Sequence, residues 1–337
     1  MPTAGLIVGP EYHHLDHLAP LCSLLDLPLL VTDQEMASIA KKYYPDLSLC
    51  HFVEEEIPER VIQEFDTILY STPRVLFDEL FFFAEAFHQK KIRTVWCPHG
   101  NSDKGRGTTA FMEGLKEEET LLTYGPRIEV FLREKGIEGT FLRVGNYRLN
   151  YFEKHRKFYN HLMKDILPEK AKHTLLYAPT WQDGEKNSSF TDLWEKGFSE
   201  IPSDYTLLVK LHPNLYRQYP DQIAEMQSKA PKQVHFLENL PPIYPLLSHI
   251  DLFIGDAASS IGYDFLYFKK PMLLFSNEND PPLAKAGKVI PPMQFSFSQC
   301  EKLLHSSPPK NSLYEETFAP FNLTKLQKLL NVNPIYS

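Results

Sequence analysis

One pattern recurs along the chain and restricts its fold more than any other feature. Short apolar runs end at Gly, Pro, Asn, Asp or Ser, and a longer stretch with apolar residues at helical spacing follows. This alternation is typical of parallel β-sheets that carry helices on both faces. The runs are 5–8, 28–31, 67–70, 94–97, 120–123 and 141–144, and then 175–177, 207–209, 234–236, 252–254 and 272–275.

The runs form two sets of similar size, separated by a charged, helix-like segment at about 150–171. A chain of 337 residues, 43% of them hydrophobic, is long enough for two cores. We therefore predict an α/β protein with two doubly wound, Rossmann-like domains, at residues 1–155 and 156–315. Apolar residues at helical spacing within 316–337 predict a terminal helix that packs back on the first domain.

Composition excludes several classes of protein. No run of about 18 apolar residues is present, so we expect no membrane-spanning helix. The N-terminus lacks the basic region of a signal peptide, and the four cysteines are far apart, which together predict reduced thiols in a cytoplasmic protein. A net charge of −8 argues against nucleic-acid binding, although a local basic pocket for a phosphorylated small molecule is compatible with it.

Ligands of such sheets bind beyond the carboxyl ends of the strands, so the segments that follow the apolar runs are candidate sites. The segment GDAASS at 255–260 joins a run to a helix start, where free backbone N–H groups favour anions. Ser259 and Ser260 add hydroxyls for a phosphate, and Asp264 lies one helical turn further on, where a ribose hydroxyl could reach it. The alternative is that Ser259 only caps the helix.

Each predicted domain offers one histidine directly after a buried run. His99 is followed by Gly100 and Lys104, and His212 is held by a proline. Imidazole is suited to proton transfer near neutral pH, and an ammonium group is suited to a phosphate oxygen. If the two histidines converge, one can act as base and the other as acid or charge stabiliser. The alternative is a histidine packed beneath a loop, beside a solvated lysine.

Other candidates follow further runs. Thr180 offers a hydroxyl, and Trp181 offers a ring face for a base or fills a gap between the domains. Arg127 and Arg148 are candidates for an anionic acceptor or for solvated turns. The pair His13-His14 follows the first run, but metal or substrate contact there is the minority interpretation. We find no set of residues with the sequence spacing typical of metal ligands, and we predict neither a metal nor a cofactor.

These segments together resemble the CDP-glycerol glycerophosphotransferase family, the teichoic-acid primases and polymerases. HGNSDK at 99–104 is similar to the HGxxxK element of the family, YAPTW at 177–181 to its YAPTW segment, and KLHP at 210–213 to its KxHP segment. DAASSIGYDF at 256–265 resembles DYSSxxxDF, with one extra residue before the serines and Ala in place of Tyr. The first motif also departs from the commoner HGTPLK, and its Asp103 beside Lys104 would weaken phosphate affinity.

The resemblance implies a GT-B-like architecture, in which the two domains face a central cleft and the nucleotide lies mostly on the second. It implies that His99 and His212 match two functionally essential histidines of the family. It also implies that Ser259 and Ser260 lie at the phosphates of the CDP-linked small-molecule donor. We add Gly100, Lys104, Thr180, Asp256 and Asp264 as predicted substrate- and phosphate-binding residues. The family supplies no assignment for the first 90 residues.

The resemblance implies a transferase that moves glycerol phosphate, or a similar alditol phosphate, from a CDP-activated donor to an acceptor hydroxyl and releases CMP. The acceptor would be lipid-linked or a glycan, and a lipid-linked acceptor would bring peripheral contact with the inner face of the membrane. The alternatives are a nucleotide-sugar glycosyltransferase or 2-epimerase, and a non-catalytic nucleotide-binding module of the same fold. The oligomeric state is not predicted.

Overall fold

The chain forms two compact units. The computed structural model describes residues 2–72, 74–101, 113–169, 171–182, 188–194, 198–238, 240–276, 282–307 and 312–332. Among these residues, one unit contains 2–100, 113–156 and 316–332, and the other contains Asn101 and 157–315. The first unit therefore includes the C-terminal segment as well as the N-terminal half. Lys104 of the predicted substrate site lies outside the described residues.

The first unit is built on a parallel sheet of seven described strands in the order β3-β2-β1-β4-β5-β6-β7. The strands are β1 (Thr3–Ile7), β2 (Leu29–Val31), β3 (Leu49–His51), β4 (Thr67–Tyr70), β5 (Arg93–Trp96), β6 (Thr120–Thr123) and β7 (Thr140–Arg143). Strands β1, β2, β4 and β6 are buried along their whole length, as expected for a sheet covered on both faces.

The second unit contains a parallel sheet of six described strands in the order β10-β9-β8-β11-β12-β13. The strands are β8 (His173–Ala178), β9 (Tyr205–Val209), β10 (Val234–Phe236), β11 (Leu252–Asp256), β12 (Met272–Phe275) and β13 (Lys288–Ile290). The predicted α/β class with two doubly wound parallel sheets is confirmed. In both sheets the order reverses once, next to the first strand of the unit.

Helices connect the strands. Those of the first unit are α1 (Leu15–Leu25), α2 (Gln34–Tyr43), α3 (Ile57–Glu64), α4 (Asp78–His88), α5 (Pro126–Glu134) and α6 (Tyr147–Lys154), with 3₁₀ turns at Tyr12–His14, Glu54–Glu56, Arg74–Phe77 and Leu115–Glu117. Helix α7 (Arg156–Ile166) begins at the last residue of 113–156 and continues into the second unit. The other helices of the second unit are α8 (Phe190–Leu193), α9 (Pro213–Gln218), α10 (Pro220–Lys229), α11 (Ile243–Leu247), α12 (Ser260–Phe265) and α13 (Phe297–Leu304), with 3₁₀ turns at Leu266–Phe268, Pro282–Ala286 and Pro292–Gln294.

The C-terminal segment crosses the ends of β6 and β7. After α14 (Leu313–Thr317), the backbone N–H of Ala319 donates to the carbonyl of Tyr124 at 2.8 Å. Gly145 follows β7 with φ of +69°, and a Cβ at this position would lie 2.4 Å from the carbonyl oxygen of Ala319. The backbones can approach so closely only because this residue is glycine. The final helix α15 (Leu323–Leu330) then contacts α1.

None of the described helices combines the length and the apolar character that crossing a bilayer requires.

Candidate functional site

Three of the sequence motifs lie at one edge of the second sheet. YAPTW ends β8, KLHP follows β9, and DAASS ends β11. Strand β8 pairs with β9 on one side and with β11 on the other, so the three carboxyl ends are adjacent. The pair β8 and β11 is also where the strand order reverses, which is the usual ligand position in open α/β sheets.

Asp256 ties two of these loops together. Its carboxylate is buried at the end of β11, and Oδ2 accepts the backbone N–H of Thr180 at 2.7 Å. Oδ1 accepts the backbone N–H of Ser189 at 2.9 Å, directly before α8. Hydrogen bonds to a charged acceptor are strong, so this carboxylate fixes the backbone of both segments. The geometry favours an anchoring role for Asp256 over direct contact with a phosphate.

Thr180 is held by a second interaction as well. Its carbonyl accepts the hydroxyl of Ser188 at 2.7 Å, and the residue is 7% exposed. The buried hydroxyl of Tyr177 lies 3.1 Å from the hydroxyl of Ser189 and strengthens the same connection. Hydrogen bonds to the main chain therefore position Thr180 and Ser189, as preorganised ligand contacts require.

The two serines lie where α12 begins. Ser259 is the N-cap residue, yet its side chain makes no capping hydrogen bond, while its backbone N–H donates to the carbonyl of Asp256 at 2.9 Å. Simple capping, the alternative drawn from the sequence, is therefore wrong for its hydroxyl. Ser260, at the first helical position, is half-buried. Asp264 is buried, and its Oδ1 accepts the Tyr244 hydroxyl at 2.9 Å.

His212 has a defined tautomer when it is neutral. It is the N-cap residue of α9, and its Nδ1 accepts the backbone N–H of Asn214 at 3.1 Å. A nitrogen that accepts a hydrogen bond carries no proton, so the proton of neutral His212 is on Nε2. The Trp181 ring lies beside it, with ring centroids 6.2 Å apart. His212 can therefore present a hydrogen-bond donor, and no lone pair, at Nε2.

His99 has a different electrostatic setting in the first unit. It follows β5, its Nδ1 is buried, and the residue as a whole is half-buried. Burial, with a smaller contribution from His13, lowers the pKa of His99 to about 4, against the opposing effects of the Ser71 backbone and Glu11. Gly100 follows with φ of +139°, a backbone conformation that favours glycine. His99 is therefore neutral at pH 7, the form that can accept a proton.

Two further histidines lie against His99. His13 and His14 form the 3₁₀ turn that follows β1, and their ring centroids lie 5.7 and 5.1 Å from that of His99. Burial, followed by the neighbouring His13 and His99, lowers the pKa of His14 well below its usual value. The Oε2 atom of Glu11 lies 3.5 Å from Nδ1 of His13. The sequence offered one signal for this cluster, the position of both histidines after the first strand.

A buried polar network fixes the backbone before His99. The Tyr124 hydroxyl donates to the carbonyl of Pro98 at 3.0 Å and lies 2.6 Å from Nδ1 of His17. The Tyr147 hydroxyl lies 3.3 Å from Sγ of Cys97. Sequence reasoning missed these tyrosines because nothing in the local pattern distinguishes them from ordinary core residues.

The two arginine candidates differ in their surroundings. Arg148 is 3% exposed, and its Nη1 lies 2.8 Å from Oδ2 of Asp16 in a buried ion pair. Neither the anionic-acceptor interpretation nor the solvated-turn interpretation anticipated this pairing, because the partner is 132 residues away in sequence. Arg127 is half-buried at the start of α5.

His99 belongs to the first unit and His212 to the second. Their joint action, and the assignment of Ser259, Ser260, Gly100, Thr180, Asp256 and Asp264 to a substrate site, remain predictions.

Comparison with known proteins confirms the resemblance drawn from the motifs. Residues 137–301, just under half of the chain, match the family described as CDP-Glycerol:Poly(glycerophosphate) glycerophosphotransferase. This range includes YAPTW, KLHP and DAASS, whereas His99 lies outside it. The chain is 28% identical over 152 residues to the teichoic acid glycerol-phosphate primase of Bacillus spizizenii. That match spans 44% of this chain and only 37% of the primase.

Solved structures of several different proteins have the same fold. The wall teichoic acid polymerase TagF, in a variant soaked with CDPG, aligns with a TM-score of 0.61 and 14% identity over 98% of this chain and 87% of its own. The UDP-GlcNAc 2-epimerase of Methanocaldococcus jannaschii aligns with a TM-score of 0.59 and 13% identity over 98% of this chain and 100% of the epimerase chain. At these identities the likeness shows the fold alone, and it is consistent with the predicted GT-B-like architecture.

Proposed function

We propose that this chain transfers glycerol phosphate, or a similar alditol phosphate, from a CDP-linked donor to an acceptor hydroxyl. The observation that carries the proposal is the meeting of three motif-bearing loops at the carboxyl ends of β9, β8 and β11, within the residues that match the glycerophosphotransferase family. The description of the matching family and the CDPG soaked into TagF support a CDP-linked donor, and the primase relative supports glycerol phosphate as the transferred group.

The proposed reaction is a substitution at phosphorus. The acceptor oxygen attacks the β-phosphorus of the donor, the bond from that phosphorus to the bridging oxygen breaks, and CMP leaves with the bridging oxygen. The proton of the acceptor hydroxyl passes to a base. The negative charge that accumulates on the phosphate oxygens must be stabilised by hydrogen-bond donors and cations.

The protonation states support different roles for the two histidines. We assign proton acceptance to His99, because it is neutral at pH 7 and partly accessible. A pKa of about 4 makes a weak base, but the charge of a bound diphosphate would raise that pKa toward the working range. We assign charge stabilisation to His212, because its Nδ1 is engaged by Asn214 and only Nε2–H can face a phosphate oxygen.

The remaining predicted residues divide between binding and positioning. Ser259, Ser260 and Lys104 would contact the donor phosphates, and Gly100 would allow the turn after His99. Thr180 and Asp256 would fix the loop after β8, since their mutual hydrogen bond is buried. Asp264 would act through Tyr244, with which it is already hydrogen-bonded.

The decisive experiment measures CMP release from CDP-glycerol with a glycerophosphate-terminated acceptor, in the presence of EDTA. His212→Asn retains an N-cap acceptor for the N–H of Asn214 but removes the Nε2–H donor. We expect this variant to unfold at the wild-type temperature and to lose about 10²–10³-fold in turnover. His99→Ala should lose about 10²–10⁴-fold.

Three results would count against the proposal. Turnover of both variants within a few-fold of wild type would remove the assigned roles. Release of a nucleoside diphosphate from a nucleotide sugar, without CMP release from CDP-glycerol, would favour the glycosyltransferase or epimerase alternative. Binding of CMP without turnover of any donor would favour the non-catalytic module.

A further inference from the structure

The first unit contains a histidine cluster with the dimensions of a metal site. One potential ligand atom from each of His13, His14 and His99 lies within 4.8 Å of the other two. The rings come from two places in the chain, the turn after β1 and the loop after β5, and the sheet brings them together. A sequence search for ligand spacing does not find such a group, because 85 residues separate His14 from His99.

The distances between the three potential ligand atoms suit a tetrahedrally coordinated ion after small side-chain adjustments. Imidazole nitrogens bind Zn²⁺ at about 2.0–2.1 Å, which places the nitrogens of one tetrahedral site roughly 3.4 Å apart. The cluster therefore needs each pair of ligand atoms to approach by at most about 1.4 Å. Ring rotations of this size are available to His13 and His99, which are not fully buried.

The surroundings of the cluster resemble those of a metal site in a second respect. Metal-bound histidines commonly donate their other ring N–H to a carboxylate, which sets the tautomer and orients the ring. Here Oε2 of Glu11 lies 3.5 Å from Nδ1 of His13, in a position to orient that ring. Three imidazole ligands favour Zn²⁺ and related transition-metal ions over Mg²⁺ or Ca²⁺, which prefer oxygen ligands.

We propose that His13, His14 and His99 bind one divalent transition-metal ion of the Zn²⁺ class, with Glu11 orienting His13 and the fourth position open to water. The ion would occupy a lone pair of His99. On the assignment of His99 as proton acceptor, which rests on the proposed function, occupancy of this site and proton acceptance exclude one another. The bound ion would therefore inhibit transfer.

The binding test uses the full chain without an affinity tag, stripped with EDTA and then dialysed. Co²⁺ serves as the probe because its visible absorption reports tetrahedral coordination, and Zn²⁺ competition gives the affinity for Zn²⁺. His13→Gln is the informative variant, since His13 is only partly buried and its replacement should leave the fold intact. His51→Gln is the matched control, because His51 is an exposed histidine of the same unit.

We expect wild type and His51→Gln to bind one Co²⁺ per chain with a tetrahedral spectrum. His13→Gln should bind at least about 10–100-fold more weakly, as loss of one ligand or its orienting partner does in metal sites. The same weak, spectrally octahedral binding in all three proteins would overturn the proposal. So would an equal loss in His51→Gln, because the ion would then lie elsewhere.

A second measurement separates this inference from the proposed function. CMP release should fall in proportion to Co²⁺ occupancy in wild type and should recover with EDTA. A rate that rises with occupancy would overturn the inhibitory effect. Absence of CMP release at every Co²⁺ concentration would refute the proposed function, while the absorption titration would still decide whether the ion binds.

Discussion

Asp256→Ala and Asp256→Asn test whether one buried carboxylate holds the loops of the second unit. The carboxylate accepts two backbone N–H groups, from Thr180 at 2.7 Å and Ser189 at 2.9 Å, and the residue is 1% exposed. Alanine would leave both amides buried without this acceptor. Asparagine would retain one acceptor oxygen but place an NH₂ group against the second amide.

The expected cost follows from the number of lost bonds. A hydrogen bond to a charged group contributes about 1.5–3 kcal/mol, and a buried donor left unsatisfied costs about 1–3 kcal/mol. Asp256→Ala should therefore lower the free energy of unfolding of the second unit by about 3–5 kcal/mol, and Asp256→Asn by about 2–3 kcal/mol. Asp251→Asn is the matched control, because Asp251 directly precedes β11, accepts one backbone N–H, from Thr174 at 3.0 Å, and has a side chain that is 34% exposed. Water can replace that bond, so the control should cost less than about 1 kcal/mol.

Urea unfolding followed by tryptophan fluorescence is a suitable assay. Trp181 and Trp194 belong to the second unit, whereas Trp96 belongs to the first. Because the chain has two units, the transitions must be fitted separately. With a slope of about 2–3 kcal/mol per molar urea, Asp256→Ala should lower the midpoint of the second-unit transition by roughly 1–2 M. Equal midpoints for Asp256→Ala and Asp251→Asn would refute the anchoring role.

Three further predictions concern the first unit. Burial raises the pKa of Glu118 to about 7, so the native state binds more protons than the unfolded state, and the free energy of unfolding falls as pH rises from about 4.5 to 7. In urea titrations at several pH values, Glu118→Gln should remove roughly 3 kcal/mol of this pH dependence. A variant with the wild-type pH profile would contradict the prediction. Because the pKa of His99 is lowered to about 4, kcat/KM for CDP-glycerol should stay constant from about pH 5.5 to 7.5. An inflection near pH 6.5 that disappears in His99→Ala would contradict the lowered pKa. Gly145→Ala should destabilise the first unit by about 2–3 kcal/mol, since a Cβ would lie 2.4 Å from the Ala319 carbonyl. Gly136→Ala is its control, because φ is also positive there but the atom nearest to an added Cβ lies 3.9 Å away. Backbone strain alone should then cost about 1 kcal/mol. Equal shifts in unfolding temperature for the two variants would rule out a steric clash between the added Cβ of residue 145 and the Ala319 carbonyl.

Much of the fold could be predicted because its signal is local. Fully buried parallel strands are continuous apolar runs, and eleven of the strands described above coincide with runs identified in the sequence. The two that were missed, Leu49–His51 and Lys288–Ile290, are short edge strands, each with an exposed polar end. An edge strand is covered on fewer sides, so its composition does not separate it from a loop.

The candidate site was predictable only in part, because its contacts are distant in sequence. The strand ends that carry Thr180, His212 and Ser259 were predicted from runs followed by small or polar residues. The bond from Asp256 to Ser189, and the contact of His14 with His99, depend on strand order, which local periodicity does not encode. The tautomer of His212 likewise depends on the Asn214 N–H, which no sequence pattern specified.

The return of residues 316–332 to the first unit has a consequence for synthesis of the chain. The ribosome adds about 160 residues after Arg156 before that segment begins, which takes on the order of 10–30 s at 5–20 residues per second. At the end of this interval the second unit has all of its residues, whereas the turns after β6 and β7 still lack the backbone of residues 316–332 that packs against them. Nascent chains should therefore acquire protease resistance in the C-terminal unit first, which reverses the usual N-to-C order of domain maturation.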